Sequence, residues 1–151
     1  MTYVKGTDYV IGFVFDDKDR VVLIRKNRPD YLAGKLNGVG GKIEPTDRMP
    51  VDAMVREFDE ETGVLLEKEM WKCFGTISFG EREEDLIYLY VARAEISPKT
   101  VTDEEVFVFD HRIVSEKETT KNLPFLVEMA LCALNSKDLY AELFIDNGEE
   151  A

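Results

Sequence analysis

The chain has 151 residues, 44% of them hydrophobic, which suits one globular domain with a buried core. Its 31 acids against 19 bases leave a net charge of −12, which repels a nucleic-acid backbone, and no long Lys/Arg run supplies a basic patch. The longest apolar stretches are strand-sized rather than membrane-spanning, and MTYVKGTDYV lacks the charged-then-apolar layout of a secretion signal.

In chain order, Tyr9–Phe15 reads as a buried strand, Asp16–Arg20 as a turn and Val21–Arg25 as a second strand, together a hairpin. Asn27–Gly41 holds four glycines and a proline and reads as a loop with little regular structure. From Pro50 to Thr62 the pattern is helical: Pro50 suits the first turn, Gly63 the position just past the end. Val51, Met54, Val55, Phe58 and Thr62 recur at helical spacing as its inward face. Trp71–Phe79 and Leu86–Ala92 flank the polar turn Gly80–Asp85 as a second hairpin. Val106–Phe109 is a short strand reached through the acidic loop 102–105, and Leu123–Leu134 is a second amphipathic helix. Strands with only two helices predict a mixed sheet with helices on its faces. We expect one domain over residues 1–145 and a frayed acidic tail over 146–151. Cys73 and Cys132, each in an apolar stretch, read as free, buried thiols in a reducing cytoplasm.

The segment REFDEETGV, residues 56–64, places four acids in the five positions 57–61, at the end of a helix where the macrodipole disfavours them. Glu57 and Glu61 also stand at i,i+4, where like charges repel by roughly 0.2–0.5 kcal/mol. Glu57, Glu60 and Glu61 fall within an arc of about 100°, beside the apolar arc, so burial of the latter leaves three carboxylates converging along the rim of the core. A solvated acidic face would need no partner. A hard cation such as Mg²⁺ or Mn²⁺, which takes carboxylate oxygens, would relieve the crowding.

Upstream, LNGVGGKIE at 36–44 has three glycines in the four positions 38–41, allowing close backbone approach or positive φ. Lys42 could meet a phosphate, and Arg56 could orient Glu57 through a bidentate pair.

Residues 40–64, GGKIEPTDRMPVDAMVREFDEETGV, resemble the signature of the Nudix hydrolases, written G-x5-E-x7-R-E-U-x-E-E-x-G-U with U apolar. Arg56, Glu57, Phe58, Glu60, Glu61, Gly63 and Val64 match its second half. Counting from Gly41, the first glutamate of the pattern falls on Asp47, and eight residues rather than seven separate Asp47 from Arg56. The extra residue lies in the loop before Pro50.

The resemblance implies a Nudix-like α/β/α sandwich with a mixed sheet. It also implies Mg²⁺- or Mn²⁺-dependent hydrolysis of the diphosphate linkage in a nucleoside diphosphate derivative or nucleoside triphosphate, oxidised purine nucleotides included. By position, Glu57 and Glu61 resemble metal ligands, Glu60 a third ligand or a base, Gly41 a carbonyl ligand, and Arg56 the residue that orients Glu57. A further acid from a later loop is expected, with Glu104, Glu105, Glu83 and Glu84 as candidates. Asn37 stands where some relatives read an oxidised purine, and is equally a turn residue. Arg25, Lys26 and Arg28 could meet phosphates, and Tyr31, Trp71 and Phe79 could stack on a base or fill the core. His111, outside the motif, reads as a surface or strand-edge residue rather than a catalyst. The expected partner is a small-molecule nucleotide, with no nucleic acid and no membrane, and a homodimer is left open. Two alternatives stand beside this: a non-catalytic nucleotide sensor or scaffold on the same fold, and a diphosphate isomerase, disfavoured because neither cysteine lies near the motif.

Overall fold

The computed structural model describes residues 7–79 and 82–145, without side-chain detail at 79 and 82–84. The strands are β1 (Tyr9–Phe15), β2 (Arg20–Arg25), β3 (Leu36–Asn37), β4 (Val39–Lys42), β5 (Lys72–Phe79), β6 (Arg82–Arg93), β7 (Val106–Asp110) and β8 (Ala141–Ile145). The helices are α1 (Pro50–Thr62) and α2 (Leu123–Leu134), with 3₁₀ turns at Asp30–Leu32, Lys68–Met70 and His111–Glu116. One mixed sheet runs β3-β2-β1-β6-β5-β8, with β4 also paired to β1 and β7 to β2. The β1–β6 and β5–β8 pairs are parallel.

Alternation along the central strands sorts the core into two layers. Phe13, Phe15, Val21 and Leu23 face α2 and its Leu123, Leu126, Val127 and Ala130. Val10, Val14, Val22 and Ile24 face α1 with Met54 and Phe58, and Trp71 joins them. Because successive side chains point to opposite faces and each face carries a helix, both strands read as unbroken apolar runs. This is the expected α/β/α sandwich. Among the described residues no helix is long and apolar enough to cross a membrane.

Helix α1 begins and ends where local signals put it. Pro50 opens it, the Asp52 carboxylate accepts the Met49 N–H at 2.9 Å, and Gly63 closes it at φ 74. Met54, Phe58 and Thr62 are buried, as is Ala53, while Val51 and Val55 are half-buried at the margin. Phe58 meets Trp71 edge-on at 5.4 Å, and both lie in the core.

Several expectations change. The first hairpin pairs β1 with β2 only beside its turn, Phe15 opposite Val21. Beyond it β2 pairs with β7, while β1 takes β4 and β6. The Asn27–Gly41 segment is not a bare loop, since its glycine-rich end forms β3 and β4. Gly34 takes a positive φ of 87, whereas Gly38, Gly40 and Gly41 serve close approach: a β-carbon at Gly40 would collide with the Val10 carbonyl oxygen. Strand β6 starts at Arg82, inside the segment 80–85 expected as a turn. Strand β8 was not anticipated. Both cysteines are free but neither is buried as expected: Cys132 lies on the face of α2 that stays in solvent, and Cys73, on β5, is half-buried at the margin of the α1-side layer. Residues 146–151, the expected tail, lie outside the described residues.

Candidate functional site

Strand β4 runs against α1, and the contact centres on Gly41 and Glu57. A β-carbon at Gly41 would lie 2.5 and 2.6 Å from the two Glu57 carboxylate oxygens. Only glycine lets the carboxylate settle on the strand backbone. Arg56 then fixes it, with Nη1 donating to Glu57 Oε1 at 2.8 Å. The other edge of the guanidinium donates to Asp47, from Nη2 at 2.8 Å and Nε at 3.3 Å, and to the Lys42 carbonyl at 3.1 Å. One planar cation thus joins the helix, the strand end and the loop between them, a fork geometry that lysine lacks.

The two carboxylates hydrogen-bonded to this guanidinium titrate in opposite directions. Asp47 has a side chain only 6% exposed, yet the Arg56 hydrogen bonds and the Glu44 N–H at 2.8 Å hold its carboxyl below the usual range. Burial pushes the Glu57 carboxyl up, and Arg56 only partly opposes it. Burial also raises Glu61. The hydrogen bond from Thr102 Oγ1 to its Oε2, 2.9 Å long, pulls the other way, and the Glu104 charge adds to the rise.

The structure separates the two candidate loop acids. Glu104 is buried, accepts the Asn27 N–H at 2.7 Å and lies 3.6 Å from Lys26 Nζ. It stands close enough to Glu61 for their charges to interact. Glu105, the next residue, is exposed and pairs weakly with Arg25 at 3.9 Å. Glu83 and Glu84 lie outside the described side chains.

Glu60 is 55% exposed and 3.5 Å from Arg56 Nη1. Glu57 and Glu60 thus meet the same Arg56 nitrogen, at 2.8 and 3.5 Å, while Thr102 holds Glu61 toward the 102–105 loop, so the three helix acids do not gather within 4.8 Å of one another. Among the described residues, the group of three or more acids with oxygens all within 4.8 Å of one another is Asp16, Asp17 and Glu95, at the opposite end of β1. There the Asp16 carboxylate already accepts Arg20 Nε.

The remaining candidates scatter. Asn37 Oδ1 accepts the Gly38 N–H at 2.9 Å and the Thr120 hydroxyl at 3.1 Å. A backbone N–H can only donate, so the oxygen of the amide faces Gly38 and its NH₂ faces elsewhere. Lys42 is exposed at the end of β4. Arg25 lies over the Phe107 ring, 4.8 Å from its centroid, and Arg28 is paired with Asp103 at 2.8 Å. Tyr31 is exposed, Trp71 is core, and Phe79 lies outside the described side chains. His111 bonds Glu128 of α2 at 2.7 Å, on the face away from α1. Thr102 was missed by sequence reading. Its signal is the ST turn it forms ahead of an acidic run, with the Glu104 N–H on its hydroxyl at 3.1 Å.

Glu57, Glu60 and Glu61 offer only hard oxygen donors, and two of them have ionised forms that the protein alone disfavours. That donor set suits Mg²⁺ or Mn²⁺ rather than a thiophilic metal.

The sequence matches the NUDIX domain over residues 6–128. The chain belongs to the NUDIX domain family. Solved structures of that class share its fold. A NUDIX hydrolase from Nitrosomonas europaea superposes with a TM-score of 0.78 at 15% identity, covering 97% of this chain and 82% of that one. The NUDIX domain of Shewanella oneidensis NrtR, complexed with ADP ribose, gives 0.74 at 17% identity, covering 87% and 90%. A MutT/nudix family protein from Enterococcus faecalis gives 0.64 at 22% identity; the match covers 73% of this chain but spans 46% of that protein's length. No curated protein matches the sequence.

Proposed function

We propose that the protein is a divalent-metal-dependent hydrolase of the diphosphate linkage in a nucleoside diphosphate derivative or nucleoside triphosphate. The observation that carries this reading is the Glu57 carboxylate seated on Gly41 and clamped by Arg56, one turn before Glu61. A pure nucleotide-binding scaffold has no need of a half-buried, like-charged pair held in this way.

Glu57, Glu60, Glu61 and the backbone carbonyl of Gly41 would hold Mg²⁺ or Mn²⁺. The bound ion supplies positive charge against the diphosphate and acidifies water. Arg56 holds Glu57 in one orientation. Glu60, the most exposed of the three, is the candidate to take a proton from attacking water, a role worth roughly 10²–10⁴-fold in rate. Glu104 is the favoured further acid, because it is buried beside Glu61, whereas Glu105 faces solvent. Lys26, paired with Glu104 and near enough for its charge to act on Glu61, together with Lys42 and Arg25, supplies cations for the substrate phosphates. Asn37 presents amide N–H groups, so it would read an acceptor on a base such as a purine carbonyl. The ADP ribose bound by the NrtR domain makes a nucleoside diphosphate sugar a natural first substrate. The free thiols Cys73 and Cys132 fit a reducing cytoplasm.

The test is a screen of nucleoside triphosphates, oxidised purine nucleotides and nucleoside diphosphate sugars with Mg²⁺ or Mn²⁺, repeated with chelator and with Glu57→Gln. Turnover lost under both conditions supports the reading. Binding without turnover would instead favour the sensor reading, and turnover surviving both would remove the assigned site.

A further inference from the structure

Two departures from the NUDIX pattern fall in the same short loop: an aspartate at 47 where the pattern has glutamate, and one extra residue between it and Arg56. In the structure they belong to one hydrogen-bonded unit. The Asp47 carboxylate accepts Arg56 Nη2 at 2.8 Å, Arg56 Nε at 3.3 Å and the Glu44 N–H at 2.8 Å. The Asp47 N–H in turn donates to the Glu44 carbonyl at 2.9 Å, closing a tight turn over 44–47. On its far edge, Arg56 holds Glu57.

Both ends of this segment are fixed. The Met49 N–H on the Asp52 carboxylate, with Pro50 in the first helical position, sets where α1 begins. The seat of Glu57 on Gly41 sets how the helix lies against β4. The helix therefore cannot absorb an additional residue without rotating Arg56 and Glu57 off the strand, so it is taken up between Asp47 and Met49. Aspartate is shorter than glutamate by one carbon–carbon bond, about 1.5 Å. Even so, its carboxylate here reaches both Arg56 and the Glu44 N–H.

We propose that the two departures are one compensated change: the longer loop advances the backbone of residue 47 toward Arg56 by about the length that aspartate lacks. Asp47 is then a positioning residue that sets Glu57 through Arg56, and acid length and loop length are coupled. This rests on the hydrolase reading for its effect on turnover, but the coupling itself is readable from metal affinity alone.

The experiment compares wild type, Asp47→Glu, deletion of Arg48, and the two changes combined. Mn²⁺ affinity is measured by electron paramagnetic resonance, kcat and KM on the best substrate of the screen, and melting temperature in chelator. Each single change is expected to weaken Mn²⁺ binding roughly 10- to 100-fold, the range for groups that orient a ligand. The loss of turnover should fall in kcat, not KM. The combination is expected to regain most of the affinity and of the melting temperature. A single change that behaves as wild type, or a combination no better than the worse single change, overturns the proposal. If the deletion does not fold, Asp47→Asn, which keeps the loop and the side-chain size, decides the positioning role. Its Mn²⁺ affinity must fall with the circular dichroism unchanged, and unchanged affinity overturns it. A wild type that binds Mn²⁺ and hydrolyses nothing would remove the proposed activity while the affinity measurements still decide the coupling.

Discussion

The carboxylate of Glu57 occupies the space in which a side chain at Gly41 would stand. A methyl group there would lie 2.5 Å from Oε1, inside any tolerable contact. Gly41→Ala should therefore push Glu57 off β4 and away from the geometry that Arg56 imposes. Misplacement of about 1 Å can cost on the order of 10²-fold in rate, and we expect a loss of that size in kcat/KM. Wild-type turnover in Gly41→Ala would show that the seat of Glu57 does not matter.

Charge removal at the same carboxylate should have two opposite effects. Glu57→Gln is expected to lower turnover by roughly 10²-fold or more, following the loss of a ligand that also neutralises the site. In chelator the same variant should melt above wild type, because a buried charge and its repulsion with Glu61 are gone. Thermal melts with and without Mn²⁺ check this. Metal should stabilise wild type and leave the variant nearly unmoved.

The pH dependence of the metal-free protein follows from the directions of three shifts. Glu57 and Glu61 are raised above 4.5, so the folded state holds their protons more tightly than the unfolded chain does. Their contribution to stability is fully present below 4.5 and is lost as pH rises through their folded values. Asp47 is lowered below 3.8, so its contribution is present above 3.8 and is lost as pH falls through its folded value. In chelator, stability from these groups should rise as pH drops from neutral toward 4.5, and fall again under 3.8. Melting curves across this range would refute the assignment if stability fell steadily from pH 7 downward.

Thr102 orients Glu61 through its hydroxyl at 2.9 Å. Thr102→Val removes the donor at nearly constant volume and should weaken Mn²⁺ binding by about 10-fold or more, as loss of outer hydrogen-bond partners does. Titration calorimetry would measure it, and an unchanged affinity would place Glu61 outside the metal site.

Phe58 separates scaffold from chemistry. It is fully buried and edge-on to Trp71, so Phe58→Ala should cost about 3–5 kcal/mol of stability. Unlike Glu57→Gln, it should lower the melting temperature with and without metal.

What could be read from the chain alone was what neighbouring residues decide. Proline at the first helical position and glycine just past the end bound α1 correctly, because both act within one turn. The short, unbroken apolar runs of β1 and β2 identified buried strands. The fate of the LNGVGG segment could not be read this way. Its glycines suit a loop or a strand equally, and only β1 lying against β4 decides between them.

The site divides along the same line. The sequence by itself determined which residues carry charge on one helix arc, and that Arg56, Glu57, Glu60 and Glu61 travel together. Tertiary structure decided which of them is buried, on what, and with which partner. Glu104 and Glu105 are identical neighbours, yet one caps the Asn27 N–H 77 residues away and the other faces water. Asp47 looked like a defect in the pattern, and the fold makes it the anchor of Arg56. Periodicity and capping act over a few residues, whereas desolvation and ion pairing depend on segments that meet only once the sheet has assembled.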